Sequence, residues 1–499
     1  MPEFRDVIPG TQVSVSQPSL AGLQAAMSAG TLSSAALTGF YRQRIERLNP
    51  ALHAVITVNP DTAAEAAASD AARAAGRPRG PLEGIPVLVK DNVQVAGMPT
   101  TAGSPALLNA EPGDAFLVSR LRAAGAVIIG KANLSEWANF RATHSTSGWS
   151  TLGGQTANPY ALDRNPSGSS SGSAAGVAAG LAPLAVGTET DGSITCPASV
   201  LSLVGFKPTL GLVSRTRVIP ISAMQDTAGP LARNVTDAAL MLQAMAGSDP
   251  DDPATRDADA HRQAYAELLT SDALRGKRLG VLKFYTGWLP QVDALFEAAQ
   301  QQLTAAGATL RVIETAPDLD AIDGRELTVM LTDLRVQLNA YLATAPAAVT
   351  VRSLADVIAF NDTEAAREQP FFSQDLFVEA EATGTHDPSA YAQLRDDNRK
   401  AAASALDAML DGAQLDALIV PTVSPAWPTD PVNGDHVLGS ATMLPAVAGY
   451  PHLSVPMGQV AGLPVGLSFM GRAWSDAALL ALGYAYEQRT QLRRKPPLP

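Results

Sequence analysis

The stretch Pro166-Ser-Gly-Ser-Ser-Ser-Gly-Ser-Ala-Ala175 can be interpreted in two opposite ways. By composition it resembles a flexible Gly/Ser linker between two domains. By spacing, Gly168-Ser-Ser-Ser-Gly172 fits G-x-S-x-G, the nucleophile elbow of serine hydrolases, with Ser170 as the nucleophile. What the chain does depends on which interpretation holds, if either does.

The residues on either side of this stretch argue against both interpretations. An elbow follows an apolar strand directly, whereas the preceding segment "NPYALDRNP" (158–166) is polar and turn-forming, and none of the six histidines lies in a motif typical of a catalytic base. A linker would separate two units, but this stretch continues into "SAAGVAAGLAPLAVG" (173–187), a helix of small residues with Gly176 and Gly180 on one face. We therefore expect a fixed loop at a helix start.

Strands and helices alternate along the rest of the chain. Apolar runs with strand character lie at 84–92, 125–133, 416–422 and 462–471, and a β-α-β pattern lies at 278–314. This alternation predicts an α/β fold, a single large domain in which helices cover both faces of a central mixed, mostly parallel twisted sheet. Residues 316–412 have a helical pattern almost throughout and are predicted to form an insertion.

The composition excludes several classes of protein. A formal net charge of −12 over 499 residues argues against a protein that binds nucleic acid phosphates unaided. No apolar run reaches the roughly 20 residues of a membrane helix, and the first 20 residues lack the pattern of a signal peptide. The single cysteine, Cys196, cannot form an internal disulfide. We expect a cytoplasmic protein, although a trimmed export leader would leave no trace in this sequence.

A second serine lies in a glycine-containing turn downstream, in "GTETDGSITCPAS" (187–199). Consecutive N–H groups around such a turn can hold an oxyanion next to Ser193. A nucleophilic serine needs a base, and Lys90 ends an apolar run where burial would lower its pKa and leave a neutral amine. On spacing alone, a salt-bridged structural lysine stays the alternative interpretation of Lys90.

Several longer motifs resemble the amidase signature family. They are "GIPVLVKDN" (84–92), the run 166–199 and "VGFKPTLGLVSR" (204–215), within a likeness that extends from about residue 15 to 490. The segments "NLSEWANF" (133–140) and "VIPISAMQDTAGP" (218–230) are most similar to the peptide amidases of that family. The resemblance implies one amidase domain, 1–499, divided into N-terminal helices (18–75), a signature core (80–245), the helical insertion (316–412) and C-terminal strands with a final helix (413–490).

The resemblance also implies a Ser–Ser–Lys catalytic triad. Ser193 matches the nucleophile, Ser169 matches the bridging serine that follows a cis peptide bond, and Lys90 matches the base. The residues matched to the supporting loop are Gly168 and Ser170, and those matched to the backbone oxyanion hole are Thr190, Asp191, Gly192 and Ser193. The chain departs from the family pattern at Ser167 and Ser171, which replace glycines, and at TETDGS (188–193), which replaces TDTGGS. These departures leave the flexibility of the loop open but remove no catalytic group.

The implied activity is hydrolysis of a carboxamide to an acid and ammonia through an acyl-enzyme, with the C-terminal amide of peptides as the favoured substrate. The alternatives are an amidase of small aryl or aliphatic amides, the A subunit of glutamyl-tRNA amidotransferase, and a non-catalytic binding protein on the same fold. The expected partner is a peptide or small-molecule amide. No cofactor, metal, nucleic acid, membrane or obligatory protein partner is expected.

Overall fold

The computed structural model describes residues 7–8, 19–110 and 113–498. Its strands are β1 (Val55–Val58), β2 (Pro86–Lys90), β3 (Val127–Ala132), β4 (Trp149–Ser150), β5 (Gly154–Gln155), β6 (Leu184–Glu189), β7 (Val204–Lys207), β8 (Thr227–Ala232), β9 (Arg278–Leu282), β10 (Thr309–Ile313), β11 (Ala417–Pro421), β12 (His452–Val460) and β13 (Leu463–Met470). Pro18, where the predicted helical segment 18–75 begins, lies outside the described residues, as does most of the N-terminal segment 1–20.

The helices surround these strands. They are α1 (Leu20–Ser28), α2 (Ser34–Leu52), α3 (Thr62–Ala74), α4 (Phe116–Ala123), α5 (Ser171–Ala178), α6 (Thr195–Val200), α7 (Val235–Met245), α8 (Ala258–His261), α9 (Pro290–Ala305), α10 (Leu319–Ala343), α11 (Leu354–Thr363), α12 (Ala365–Glu368), α13 (Asp375–Ala382), α14 (Pro388–Gly412), α15 (Met443–Ala448) and α16 (Asp476–Thr490). Within the described residues, none of them combines the length and the apolar character needed to cross a membrane.

Eleven of the described strands form one sheet in the order β1-β3-β2-β6-β8-β7-β12-β13-β11-β9-β10. The sheet is mixed, as predicted, but the expected predominance of parallel pairs is wrong. Only β3·β2, β2·β6, β11·β9 and β9·β10 are parallel, and the other six neighbouring pairs are antiparallel. Antiparallel neighbours need no crossover helix. A two-residue turn, Ala461 and Gly462 with positive φ, joins β12 directly to β13.

The parallel part of the sheet positions the functional loops. Every residue of β2, β3 and β6 is buried, as in parallel strands covered on both faces. Because β2 and β6 run side by side in the same direction, Lys90 and Glu189, their last residues, lie at the same edge. Helix α5 packs on both strands, and a Cβ at its Gly176 would lie 2.7 Å from Leu88 Cδ1, so glycine permits this close approach.

Five helices, α10–α14, lie between β10 and β11 in the chain. Three of them, α10, α11 and α13, form a separate hydrophobic cluster with nearby loops, in which Leu334 and Leu338 of α10 join Trp137, Ile219 and Ile221. These three helices therefore cover loops that lie next to the end of β2, where the Ile219 N–H donates to the Asn92 carbonyl.

Candidate active site

The stretch Pro166–Ala175 is a buried and hydrogen-bonded loop that leads into α5. The backbone N–H of Ser167 donates to Asn165 Oδ1 at 2.7 Å, and the Ser171 hydroxyl donates to the Ser167 carbonyl at 2.7 Å. A Cβ at Gly172 would collide with the backbones of Ala54 and Asn133. The two serines that replace family glycines therefore tie the loop to itself, and the stretch cannot act as a linker.

Ser170, the residue that an elbow would use, faces away from solvent. It is fully buried, its hydroxyl donates to the Thr188 carbonyl at 3.0 Å, and it accepts the Thr188 N–H at 3.2 Å. A hydroxyl engaged on both sides by β6 supports that strand and is not exposed to a substrate. The elbow interpretation is excluded, and the place of Ser170 in a supporting loop agrees with these contacts.

Lys90 and Ser169 are in direct contact. Ser169 follows a cis peptide bond from Gly168. The Nζ atom of Lys90 lies 2.8 Å from Ser169 Oγ, 2.8 Å from Thr188 Oγ1 and 3.2 Å from the Thr188 carbonyl oxygen, and all three acceptors are uncharged. No ion pair joins Lys90 to a carboxylate within the described residues. The salt-bridged alternative for this lysine is therefore excluded.

Burial governs the charge of this amine. Lys90 is completely buried, and desolvation lowers its pKa to about 7, while the more distant carboxylates of Asp226 and Glu189 oppose the shift. Near neutral pH, a large fraction of the amine is consequently uncharged. An uncharged amine that already contacts a hydroxyl can accept its proton.

The turn after β6 presents backbone N–H groups. Gly192 has a φ of 74°, and a Cβ at this position would lie 2.9 Å from Cys196 Sγ. The Glu189 carboxylate accepts the N–H groups of Ile194 and Thr195 at 2.7 and 2.9 Å. Within the described residues, the N–H groups of Asp191, Gly192 and Ser193 donate to no acceptor. Three adjacent unused donors suit an oxygen that gains negative charge.

A hydrogen bond joins the Gly/Ser loop to this turn. The Ser170 N–H donates to the Ser193 carbonyl at 3.1 Å, so the two loops are held in a fixed relation. Exposure rises along the candidate triad, from 0% for Lys90 and 1% for Ser169 to 8% for Ser193. Lys90 therefore lies deepest of the three, and Ser193 lies nearest to the surface.

Sequence reasoning missed several polar groups around these residues. Thr188 offers Lys90 two acceptor atoms, its carbonyl oxygen and its hydroxyl oxygen. Asn92 Nδ2 also donates to the Thr188 hydroxyl, at 3.0 Å. Asp226 accepts the hydroxyl of Thr190 at 2.6 Å, and burial raises the pKa of Asp226 to about 6. Two signals were present in the sequence: Thr188 lies in the motif of Ser193, and Asp226 lies in the peptide-amidase-like segment 218–230. Neither signal reveals which atoms meet.

Comparisons with known proteins agree with this geometry. Residues 36–480 match the protein family described as Amidase. The native peptide amidase of Stenotrophomonas maltophilia has 50% sequence identity and a TM-score of 0.91, with 98% of this chain and 99% of that chain covered. A probable amidase of Arabidopsis thaliana is 39% identical over 97% of this chain and 92% of its own length.

A relative with a different assigned role also matches over nearly its full length. The A subunit of the glutamyl-tRNA(Gln) amidotransferase of Halorhodospira halophila is 36% identical over 96% of this chain and 99% of its own length. The family match and the peptide amidase structure both point to hydrolysis of a carbon–nitrogen bond. The chain belongs to the amidase signature family and is an amidase.

Proposed function

We propose that this amidase removes ammonia from the C-terminal carboxamide of peptides, with Lys90, Ser169 and Ser193 as its catalytic triad. The observation that carries the proposal is the 2.8 Å contact between Lys90 Nζ and Ser169 Oγ, at a buried amine that no carboxylate of the described residues pairs with. The amine acts as the general base, Ser169 transfers the proton, and Ser193 attacks.

The first half-reaction forms an acyl-enzyme. Lys90 accepts the proton of Ser169 while Ser169 accepts that of Ser193, and Ser193 Oγ bonds to the amide carbon. The N–H groups of the turn Thr190–Ser193 hold the oxyanion, an effect worth about 3 kcal/mol for each donor. The proton returns through Ser169 to the amide nitrogen, which leaves as ammonia. Water then attacks the ester by the same path, and Ser193 and the acid are released.

The substrate class rests on similarity. Half of the aligned residues match a peptide amidase across almost the whole of both chains. The match to a component of an amidotransferase supports a second candidate, transfer of ammonia to a partner instead of its release. We favour the hydrolase because the segments 133–140 and 218–230, which are similar to peptide amidases, lie beside the candidate triad. We further propose that the domain 1–499 acts without an obligatory partner and in the cytoplasm.

Labelling of the nucleophile tests the triad. A fluorophosphonate reagent should attach to Ser193, and mass spectrometry of the digested protein should find the adduct on the peptide that contains it. Ser193→Ala should abolish both labelling and ammonia release. The matched control is Ser170→Ala, which should lower the rate several-fold because it loosens Thr188. An adduct on Ser170 would contradict the proposal.

Ammonia release from a panel of amides tests the substrate. The panel contains a dipeptide amide, glutamine, an aryl amide and a fatty amide, each measured with the purified chain alone. We expect the highest kcat/KM for the dipeptide amide. A preference for the aryl or fatty amide would replace the substrate class, and activity on glutamine that depends on an added partner would favour the amidotransferase.

A further inference from the structure

Helix α10 belongs to the helical insertion, yet it carries two buried carboxyl groups that face a loop beside the candidate triad. Glu326 and Asp333 are 3% and 7% exposed, and their spacing of seven residues places them two turns apart on one helix face. Glu326 Oε1 accepts Gln225 Nε2 at 2.6 Å, and Asp333 Oδ2 accepts Ser222 Oγ at 2.6 Å. Both donors belong to residues 218–226, which we call the clamp loop.

On the side away from helix α10, the clamp loop is hydrogen-bonded to the turn Thr190–Ser193. Asp226 Oδ1 accepts the Thr190 hydroxyl at 2.6 Å, and its Oδ2 accepts the N–H groups of Ile221 and Ser222 at 2.8 and 3.0 Å. Gln225 Nε2, which donates to Glu326, also lies 3.4 Å from the Thr190 carbonyl. Gln225 therefore connects helix α10 to the first residue of the turn.

The same loop reaches the strand end that carries the base. The Ile219 N–H donates to the Asn92 carbonyl at 2.8 Å, two residues beyond Lys90. The Asn92 side chain in turn bonds to Thr188. One loop thus joins both halves of the candidate site, and helix α10 holds that loop at two points.

We propose that Glu326 and Asp333 are positioning residues for the oxyanion hole, and that the helical insertion is part of the catalytic apparatus. They act through Gln225 and Ser222, which fix the clamp loop and, with it, the direction of the N–H groups that follow Thr190. The inference rests on the oxyanion hole of the proposed function but not on the identity of the amide.

The protonation state of the Glu326 carboxyl group decides which substitution is conservative. Burial and the neighbouring carboxylates of Asp191 and Asp323 raise the pKa of Glu326 well above its ordinary value, which favours the uncharged form of its carboxyl group. Glutamine has the same shape and keeps the acceptor oxygen for Gln225. Glu326→Gln should therefore preserve the contact, whereas Glu326→Ala removes it.

Two inhibitors that differ only at the reacting carbon measure the oxyanion hole separately from substrate binding. An aldehyde with the acyl group of the amide that the wild-type enzyme cleaves fastest adds reversibly to Ser193: Ser193 Oγ bonds to the carbonyl carbon, the C=O π bond breaks, and the hydroxyl proton passes through the relay to the former carbonyl oxygen. The corresponding alcohol has no electrophilic carbon, so it binds in the same place without a bond to Ser193. The ratio of the two inhibition constants therefore reports on the N–H groups of the turn.

We expect Glu326→Ala to lower kcat about tenfold, the effect of one lost buried hydrogen bond, with KM changed less than twofold. Its affinity for the aldehyde should fall by a similar factor, while its affinity for the alcohol stays unchanged. Glu326→Gln should keep both kcat and the affinity for the aldehyde at their wild-type values. The matched control is Asp320→Ala, which removes an exposed carboxylate from the same helix and should leave all four constants unchanged.

Equal weakening of aldehyde and alcohol would overturn the proposal, because it would assign Glu326 to substrate binding alone. Wild-type constants for Glu326→Ala would also overturn it. If that variant fails to fold, Ser222→Ala removes only one hydroxyl at the other attachment point, and it should show the same selective loss of aldehyde affinity. The constants are measured with whichever amide the wild-type enzyme cleaves fastest, so an error in the proposed substrate would be seen separately.

Discussion

Lys90 and Lys131 occupy equivalent places in the molecule and have different partners. They lie near the ends of the neighbouring parallel strands β2 and β3, and both side chains are completely buried. Lys131 Nζ lies 2.8 Å from Asp91 Oδ1, in an ion pair that is also buried. Within the part of the chain that the structure describes, Lys90 Nζ hydrogen-bonds only to hydroxyl and carbonyl oxygens.

These two lysines separate the effect of burial on the pKa of an amine from the effect of a bonded carboxylate. Burial lowers the pKa of both amines, but a bonded carboxylate opposes the shift only at Lys131. A lysine paired with a carboxylate is held in its protonated form, because losing the proton to become a base would leave the carboxylate charge buried and unpaired. Lys90 has no such constraint, so its surroundings allow it to act as a base, whereas those of Lys131 do not.

Of the changes that test the two lysines, Lys90→Met should have the largest effect. Loss of a general base lowers a rate by about 10²–10⁴-fold, and we expect kcat to fall within that range. The fold should persist, since no carboxylate loses its partner. Ammonia release measures the rate, and circular dichroism measures the fold. Retention of near-normal activity at neutral pH would show that another group acts as the base.

Lys131→Met should produce the opposite outcome. It leaves the Asp91 carboxylate buried and unpaired, which costs about 3–5 kcal/mol of unfolding free energy. Denaturant unfolding measures the loss, and Lys131→Met combined with Asp91→Leu should recover part of it. If Lys131→Met lowered kcat of the folded enzyme as much as Lys90→Met does, the distinction between the two lysines would fail.

The smallest effect is the pH dependence. Because only the uncharged amine of Lys90 accepts a proton, kcat/KM should rise with pH and level off above about 7, falling about tenfold for each pH unit below that value. The folded pKa lies below the unfolded one, so this group binds more protons in the unfolded chain between about 7 and 10.5, and stability rises with pH across that window. A rate that stays flat down to pH 5 would sink the assignment.

The alternation of strands and helices predicted the fold well where a helix separates two strands, as in β9, α9 and β10. It failed for the antiparallel part, because short turns leave no periodic signal and β12 was not recognised as a strand. The motifs predicted Ser169, Ser193 and Lys90 as site residues, but on spacing alone a salt-bridged structural role stayed open for Lys90. The sequence could not decide this because the pairing is set by side chains of neighbouring strands: the adjacent Asp91 forms its ion pair with Lys131.

The contacts of helix α10 could not be predicted from the sequence. Glu326 is 101 residues from Gln225 in the chain, and its environment exists only after the insertion has packed on the sheet. A carboxylate in an amphipathic helix is usually solvated, so its position gives no sign of burial. Pairings of this kind are set by tertiary packing, which a single sequence does not display.

The burial of Lys90 also matters for how this enzyme could be handled as a catalyst. Its amine is easily deprotonated at neutral pH but is closed to solvent, whereas the side chains of Lys283 and Lys400 are exposed. Coupling reagents that attach proteins to a resin through lysine amines would reach such exposed amines first. An immobilised form made in this way should therefore keep the Lys90 amine unmodified, although a larger fraction of that amine is unprotonated at neutral pH.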